Sequence, residues 1–198
     1  MSSRTVHRSP RYAGTAAIFA LIGAMFLAEL ATASLGNDSR LLRLGALPDS
    51  GGLHRQYWRL LTFGFLHSNP VHLLLNTVLL LVAAPPAERR SGPRWILLVF
   101  LSASVASGAG ILLKHQLWPA AGVSVGASGG MFGLLAAALV LVFRDESPIR
   151  VRIVLLAALA AGLGYSILPG VSLVGHLVGL AVGAALAFPV PHRRGPGV

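Results

Sequence analysis

The chain has no cysteine, only six acidic residues and a single lysine, Lys114, against fifteen arginines in 198 residues. Without cysteine there is no disulfide, no thiol nucleophile and no cysteine-ligated metal or iron–sulfur site, although nothing follows about redox compartment. Charged residues are scarce as well: 11% of the chain, against 55% hydrophobic, with a mean hydropathy of +0.73. That balance excludes an ordinary soluble domain. Also missing are any alternating polar/apolar strand pattern of useful length and any repeat of fixed period. The formal charge of +10 does not point to nucleic acid, because the basic residues are dispersed among loops between apolar runs and form no single face. The lipid bilayer is the expected solvent and partner.

Six apolar segments are present, at 14–35, 70–84, 95–113, 126–143, 149–168 and 172–190, each bounded by charge, Pro or Gly. Spans of ~20 residues use roughly 120 positions, which leaves no room for a second domain. The second segment looks short. The first follows Arg4, Arg8 and Arg11, and Ala31-Thr32-Ala33 resembles a signal-peptidase site, but the segment is read as a retained first helix. The expected division is a leader at 1–12, an all-helical membrane domain at 13–190 and a tail at 191–198. Eleven of the sixteen basic residues fall in the leader, the 85–94 loop, the 144–152 loop and the tail. By the positive-inside rule both termini are cytoplasmic, and the even-numbered helices run inward from the outer face.

Ionisable groups inside a spanning helix are costly, ~2.5–3.5 kcal/mol on insertion scales, and mark functional sites by default. Here they cluster. His72 and Asn76 lie four apart near the start of the second helix, hence on one face. Ser128 begins the fourth helix and His176 the sixth. All three helices start at the outer face, so at ~1.5 Å per residue these side chains sit at similar depths. An alcohol, imidazoles and an amide donor at one level are the inventory for acyl transfer: nucleophile, general base and oxyanion stabiliser. Taken singly, each is commonplace: serine in a membrane helix usually bonds its own backbone, and a lone His or Asn is commonly interhelical glue. Their joint placement carries the argument. Gly126-Ala127-Ser128-Gly129-Gly130 sets the serine among small residues, where a substrate backbone can approach. Gly179 and Gly183 share the face of His176 and allow close helix approach.

Two overlapping G-x-S-x-G matches, around Ser124 and Ser128, with Asp145 and His176 mimic the chain order of an α/β-hydrolase triad. That fold needs a strand entering the serine turn, which is absent. Asp145 also lies seventeen residues beyond Ser128, ~26 Å along a helix. The expectation is a Ser/His dyad without a carboxylate.

At these residues the chain resembles rhomboid intramembrane serine proteases of the compact six-helix bacterial type, over roughly 55–188. Trp58-Arg59 resembles the family's Trp-Arg element, and Phe65-Leu66-His67 with His72 and Asn76 resembles its His…HxxxN stretch. Glu88 and Gly92 look like ExxxG, Gly126 to Gly129 like GxSG, and His176, Gly179 and Gly183 like HxxGxxxG. GxSG alone is weak; the ordered set is specific. Ala84-Pro85-Pro86-Ala87 departs from the family ahead of Glu88. The resemblance implies Ser128 as nucleophile, His176 as base, and His72, Asn76 and the Ser128 N–H as oxyanion hole. It also implies Phe132 stacked on the catalytic His, structural roles for Trp58 and Arg59, and His67 as a structural contact beside the site. The implied function is cleavage of transmembrane protein substrates near the outer face of a bacterial cell membrane, with neither cofactor nor metal. The alternatives are an inactive rhomboid-like chaperone and a small polar-lined transporter.

Overall fold

The computed structural model describes residues 12–191. Most of the expected leader and tail, with Arg4, Arg8, Arg11, Arg193 and Arg194, lies outside the described residues. Among the described residues, six principal helices follow one another: α1 (Ala13–Ala31), α4 (Pro70–Ser91), α5 (Pro93–Leu117), α6 (Ser128–Arg144), α7 (Ile149–Tyr165) and α8 (Leu173–Ala187). Two short helices, α2 (Asp38–Leu44) and α3 (Arg59–Thr62), and a 3-10 turn at Phe63–Phe65 fill the connection between α1 and α4. Among the described residues, three helices, α1, α4 and α5, are long and apolar enough to cross a membrane, and α6 and α8 are shorter apolar helices. The chain is an integral membrane protein.

Helix ends follow local chemistry. The Asn69 side chain caps α4 by accepting from the His72 N–H at 2.9 Å, and Pro70 occupies the first turn, where its missing N–H has no consequence. Gly92, at φ +84°, turns the chain in one residue, and Pro93 opens α5. The second span was expected to stop at 84, yet α4 continues through Pro85 and Pro86 to Ser91. Each proline removes an i→i−4 hydrogen bond. Packing outweighs that loss: Ala83, Ala84, Ala87 and Glu88 are all buried, and membrane helices tolerate proline where neighbours re-satisfy the backbone. The absence of strands also needs correcting. Leu47–Pro48 (β1) pairs antiparallel with Val123–Ser124 (β2), two residues a side and too short to leave an alternating pattern.

Helix α6 occupies the centre, with every residue from Gly129 to Ala138 buried, and packs against α4, α5, α7 and α8. Its contact with α8 is backbone on backbone. A Cβ at Gly179 would collide with the Gly129 carbonyl, and one at Gly183 with the Gly133 carbonyl. With no hydrophobic force between helices in lipid, such close approach supplies dispersion contact instead.

One end of the bundle is tied by polar groups. Glu88, 2% exposed, accepts from the N–H groups of Gly14 (2.7 Å) and Thr15 (2.9 Å) and from the Thr15 hydroxyl (2.5 Å). Tyr12, at the N-cap position of α1, supplies no side-chain bond, so a carboxylate from α4 satisfies the orphan donors of α1 and complements its dipole. Arg90 pairs with Asp145 at 2.9 Å and donates to Ser147, while Arg144 donates to the Phe188 carbonyl at 2.7 Å. The start of α1 and the ends of α4, α6 and α8 therefore meet at one level.

Candidate active site

Ser128 is the first residue of α6, the helix's opposite end from Asp145. Asp145 lies with Arg90 and plays no part in the site. Ahead of the serine, the chain enters through Gly126 at φ +139°, a left-handed conformation suited to glycine. A Cβ at Gly126 would lie 2.8 Å from His72 Nε2 and 3.6 Å from Ser128 Oγ. Glycine is therefore required there twice, for the turn and for the imidazole beside it.

His176 reaches Ser128 from the first turn of α8, which the Ser172 side chain caps through the Gly175 N–H at 3.2 Å. His176 Nε2 is 2.7 Å from Ser128 Oγ. Phe132, one turn beyond the serine, stacks on the His176 ring with centroids 4.3 Å apart and planes at 11°. On the far side of that ring, Ser166 Oγ lies 2.6 Å from Nδ1. Sequence reasoning missed Ser166. It follows the last residue of α7, ten positions before His176, and no spacing rule predicts that the chain folds back at that place.

His72 and Asn76 line the same cavity of about 870 Å³ as Ser128, His176, Gly126 and Phe132. Asn76 is 3% exposed, and its Nδ2 has no hydrogen-bond partner among the described residues. A buried donor without a partner costs ~1–3 kcal/mol, and such exceptions call for an explanation. Ser128 N–H belongs to the first turn of α6, where backbone donors have no intrahelical acceptor and the dipole favours negative charge. Together they set hydrogen-bond donors among the residues lining this cavity.

His67 stands outside the cavity. It is fully buried in the loop ahead of α4, with its ring edge-on to His72 at 5.1 Å and its backbone N–H donating to Glu29 Oε1 at 2.6 Å. Burial, with His72 beside it, pushes the His67 imidazole down to about 3, so it is neutral. Trp58 and Arg59 lie farther off. Arg59 Nη1 donates to the carbonyls of Leu42 (2.6 Å) and Ala46 (2.9 Å), and its guanidinium sits 4.7 Å from the Trp58 ring centroid, fastening the long α1–α4 connection. Ser124 donates to Asp49 at 2.6 Å, which, with the β1–β2 pairing, ties that connection to the segment leading into Ser128. Among the described residues there is no group of three or more His, Asp or Glu side chains suited to a metal ion.

A family profile, the Rhomboid domain, matches residues 54–193. RHOMBOID-like protein 4 of Arabidopsis thaliana is 37% identical over 153 residues, covering 71% of this chain and 38% of the relative. Putative rhomboid protease YdcA of Bacillus subtilis is 33% identical over 142 residues, 70% of this chain and 69% of the relative. Rhomboid protease GluP of the same organism is 31% identical over 172 residues, 84% of this chain and 32% of the relative. The chain spans about two fifths of the length of RHOMBOID-like protein 4 and RHOMBOID-like protein 1 of Arabidopsis thaliana.

Proposed function

This chain belongs to the rhomboid family, and from that premise we propose that it is an intramembrane serine endopeptidase cutting transmembrane segments of other proteins. The observation that carries the reading is the 2.7 Å contact between Ser128 Oγ and His176 Nε2 inside a cavity that His72 and Asn76 also line. In this reading α1 and α4–α8 all span the bilayer, both termini face the cytoplasm, and the membrane is that of a bacterial cell. The site then opens near the outer face.

Ser128 Oγ attacks a peptide carbonyl while His176 Nε2 takes the hydroxyl proton, then returns it to the departing amine. The negative oxygen of the tetrahedral intermediate is held by Asn76 Nδ2, the His72 ring and the Ser128 N–H. Water entering the polar-lined cavity hydrolyses the acyl-enzyme, and His176 again serves as base. A substrate helix has already satisfied its backbone hydrogen bonds, so local unwinding precedes attack, and helix-breaking residues with small side chains are favoured near the cut.

Purified wild-type protein in liposomes is expected to cleave a single-span reporter and to react with a fluorophosphonate at Ser128. Ser128→Ala and His176→Ala are expected to abolish both. Undiminished cleavage by either variant would overturn the assignment.

A further inference from the structure

Counting protons around His176 leads beyond a two-residue site. Ser166 Oγ lies 2.7 Å from the Gly162 carbonyl oxygen and 2.6 Å from His176 Nδ1, and His176 Nε2 lies 2.7 Å from Ser128 Oγ. Two oxygens 2.7 Å apart repel unless a proton lies between them, and a carbonyl has none to give. The Ser166 hydroxyl proton therefore points at Gly162. Its oxygen then has only lone pairs to offer Nδ1, so the proton on that contact belongs to the imidazole. A neutral ring carries one N–H. Nε2 is left as the acceptor, and the proton between it and Ser128 comes from the serine.

Resting on the peptidase reading above, we infer that Ser166 is a positioning residue: it fixes the Nδ1–H tautomer and the ring orientation that leave His176 Nε2 free to take the Ser128 proton. Ser166 is 2% exposed and stands behind the ring, away from Ser128, so it touches neither substrate nor the reacting atoms. In proton transfer the Ser128 O–H bond breaks as the Nε2–H bond forms, and the Nδ1–H···Oγ bond to Ser166 persists in the imidazolium. The role is the one a buried carboxylate fills in three-residue sites, here filled by a neutral hydroxyl that is itself oriented by the Gly162 carbonyl. The Phe132 face stack restrains the ring plane; rotation within that plane is left to Ser166. Because Ser166 sits at the C-terminal end of α7, that helix end helps hold the base in register.

Selective 15N-histidine labelling of the full chain in lipid nanodiscs, with His176 assigned by comparison with His176→Gln, reads the tautomer directly. At a pH where the ring is neutral, the wild type is expected to show a protonated Nδ1 and a bare Nε2. A bare Nδ1 in the wild type overturns the inference whatever the variants do. Ser166→Ala is expected to populate the Nε2–H form and to lower kcat by about tenfold, the worth of one hydrogen bond at the transition state, with KM unchanged. Ser166→Thr, which keeps the hydroxyl, is expected to restore both. An unchanged tautomer and kcat in Ser166→Ala, or a fall in kcat that only follows thermal stability and is not recovered by Ser166→Thr, overturns it. Wild-type protein that cleaves nothing defeats the peptidase reading instead, while the ring spectrum still judges the tautomer.

Discussion

Substituting Gly179 by alanine probes how far the Ser128–His176 distance depends on helix packing. The added methyl carbon would lie 3.0 Å from the Gly129 carbonyl carbon and 3.2 Å from its Cα, with the carbonyl oxygen nearer still. Carbon atoms settle at about 3.5–4.0 Å, so α8 must withdraw from α6 by roughly 0.5–1 Å. The obstacle is backbone and cannot rotate aside. Alanine gains ~1 kcal/mol over glycine in helix propensity, but overpacking costs ~1–3 kcal/mol, so the net effect is destabilisation by up to about 2 kcal/mol. The effect on chemistry is larger. Gly129 adjoins Ser128 and Gly179 lies one turn from His176, so the withdrawal falls on the 2.7 Å contact and stretches it to or beyond the limit of hydrogen-bond range. A displacement of about 1 Å at a reacting group is worth ~10²-fold. Purified Gly179→Ala is expected to lose about 30- to 100-fold in both kcat/KM on a membrane reporter and fluorophosphonate labelling rate, while remaining folded in a thermal melt. Gly23→Ala is the control. A Cβ at Gly23 meets nothing within 4 Å, so that variant is expected to keep full activity and to gain up to ~1 kcal/mol. Wild-type labelling and cleavage by Gly179→Ala would refute the idea that glycine contacts set the catalytic distance.

Three further substitutions separate chemistry from scaffold. Asn76→Ala removes a donor from the cavity and is expected to lower kcat about 10²-fold with little change in KM, read by steady-state cleavage; equal losses in binding and turnover would contradict an oxyanion role. Glu88→Ala strips three hydrogen bonds from the start of α1 and is expected to cost ~2–4 kcal/mol in thermal or denaturant unfolding, so an unshifted transition would count against the cap. Arg59→Lys loses the planar group whose Nη1 reaches the Leu42 and Ala46 carbonyls while Nε donates to Gln56 and is expected to destabilise by about 1–2 kcal/mol, with increased protease sensitivity between residues 45 and 60.

The helical membrane architecture was legible because apolar length is a direct physical signal, and the meeting of Ser128, His176, His72 and Asn76 in one cavity because helical rise is nearly constant. What escaped were features decided by tertiary contact. Pro85 and Pro86 look like a helix stop when only local propensity is weighed, yet buried alanines and the Glu88 anchor carry α4 onward. Glu88 stood out by motif, but its partners Gly14 and Thr15 lie more than seventy positions away. Two-residue strands leave no period to detect. Ser166 left no trace either, since a lone serine past a helix end is ordinary until the chain returns and sets an imidazole against it.

The Glu88 clamp also dictates an order of assembly. The opening turn of α1 enters the bilayer with bare amide donors, and the carboxylate that quiets them is synthesised only when the ribosome has added six dozen or so more residues. Until then α1 is a threaded but unlatched segment, and seating it must wait for the far end of α4. Birth order and docking order are thus different sequences, and a chain interrupted upstream of that glutamate leaves its first helix without a lock.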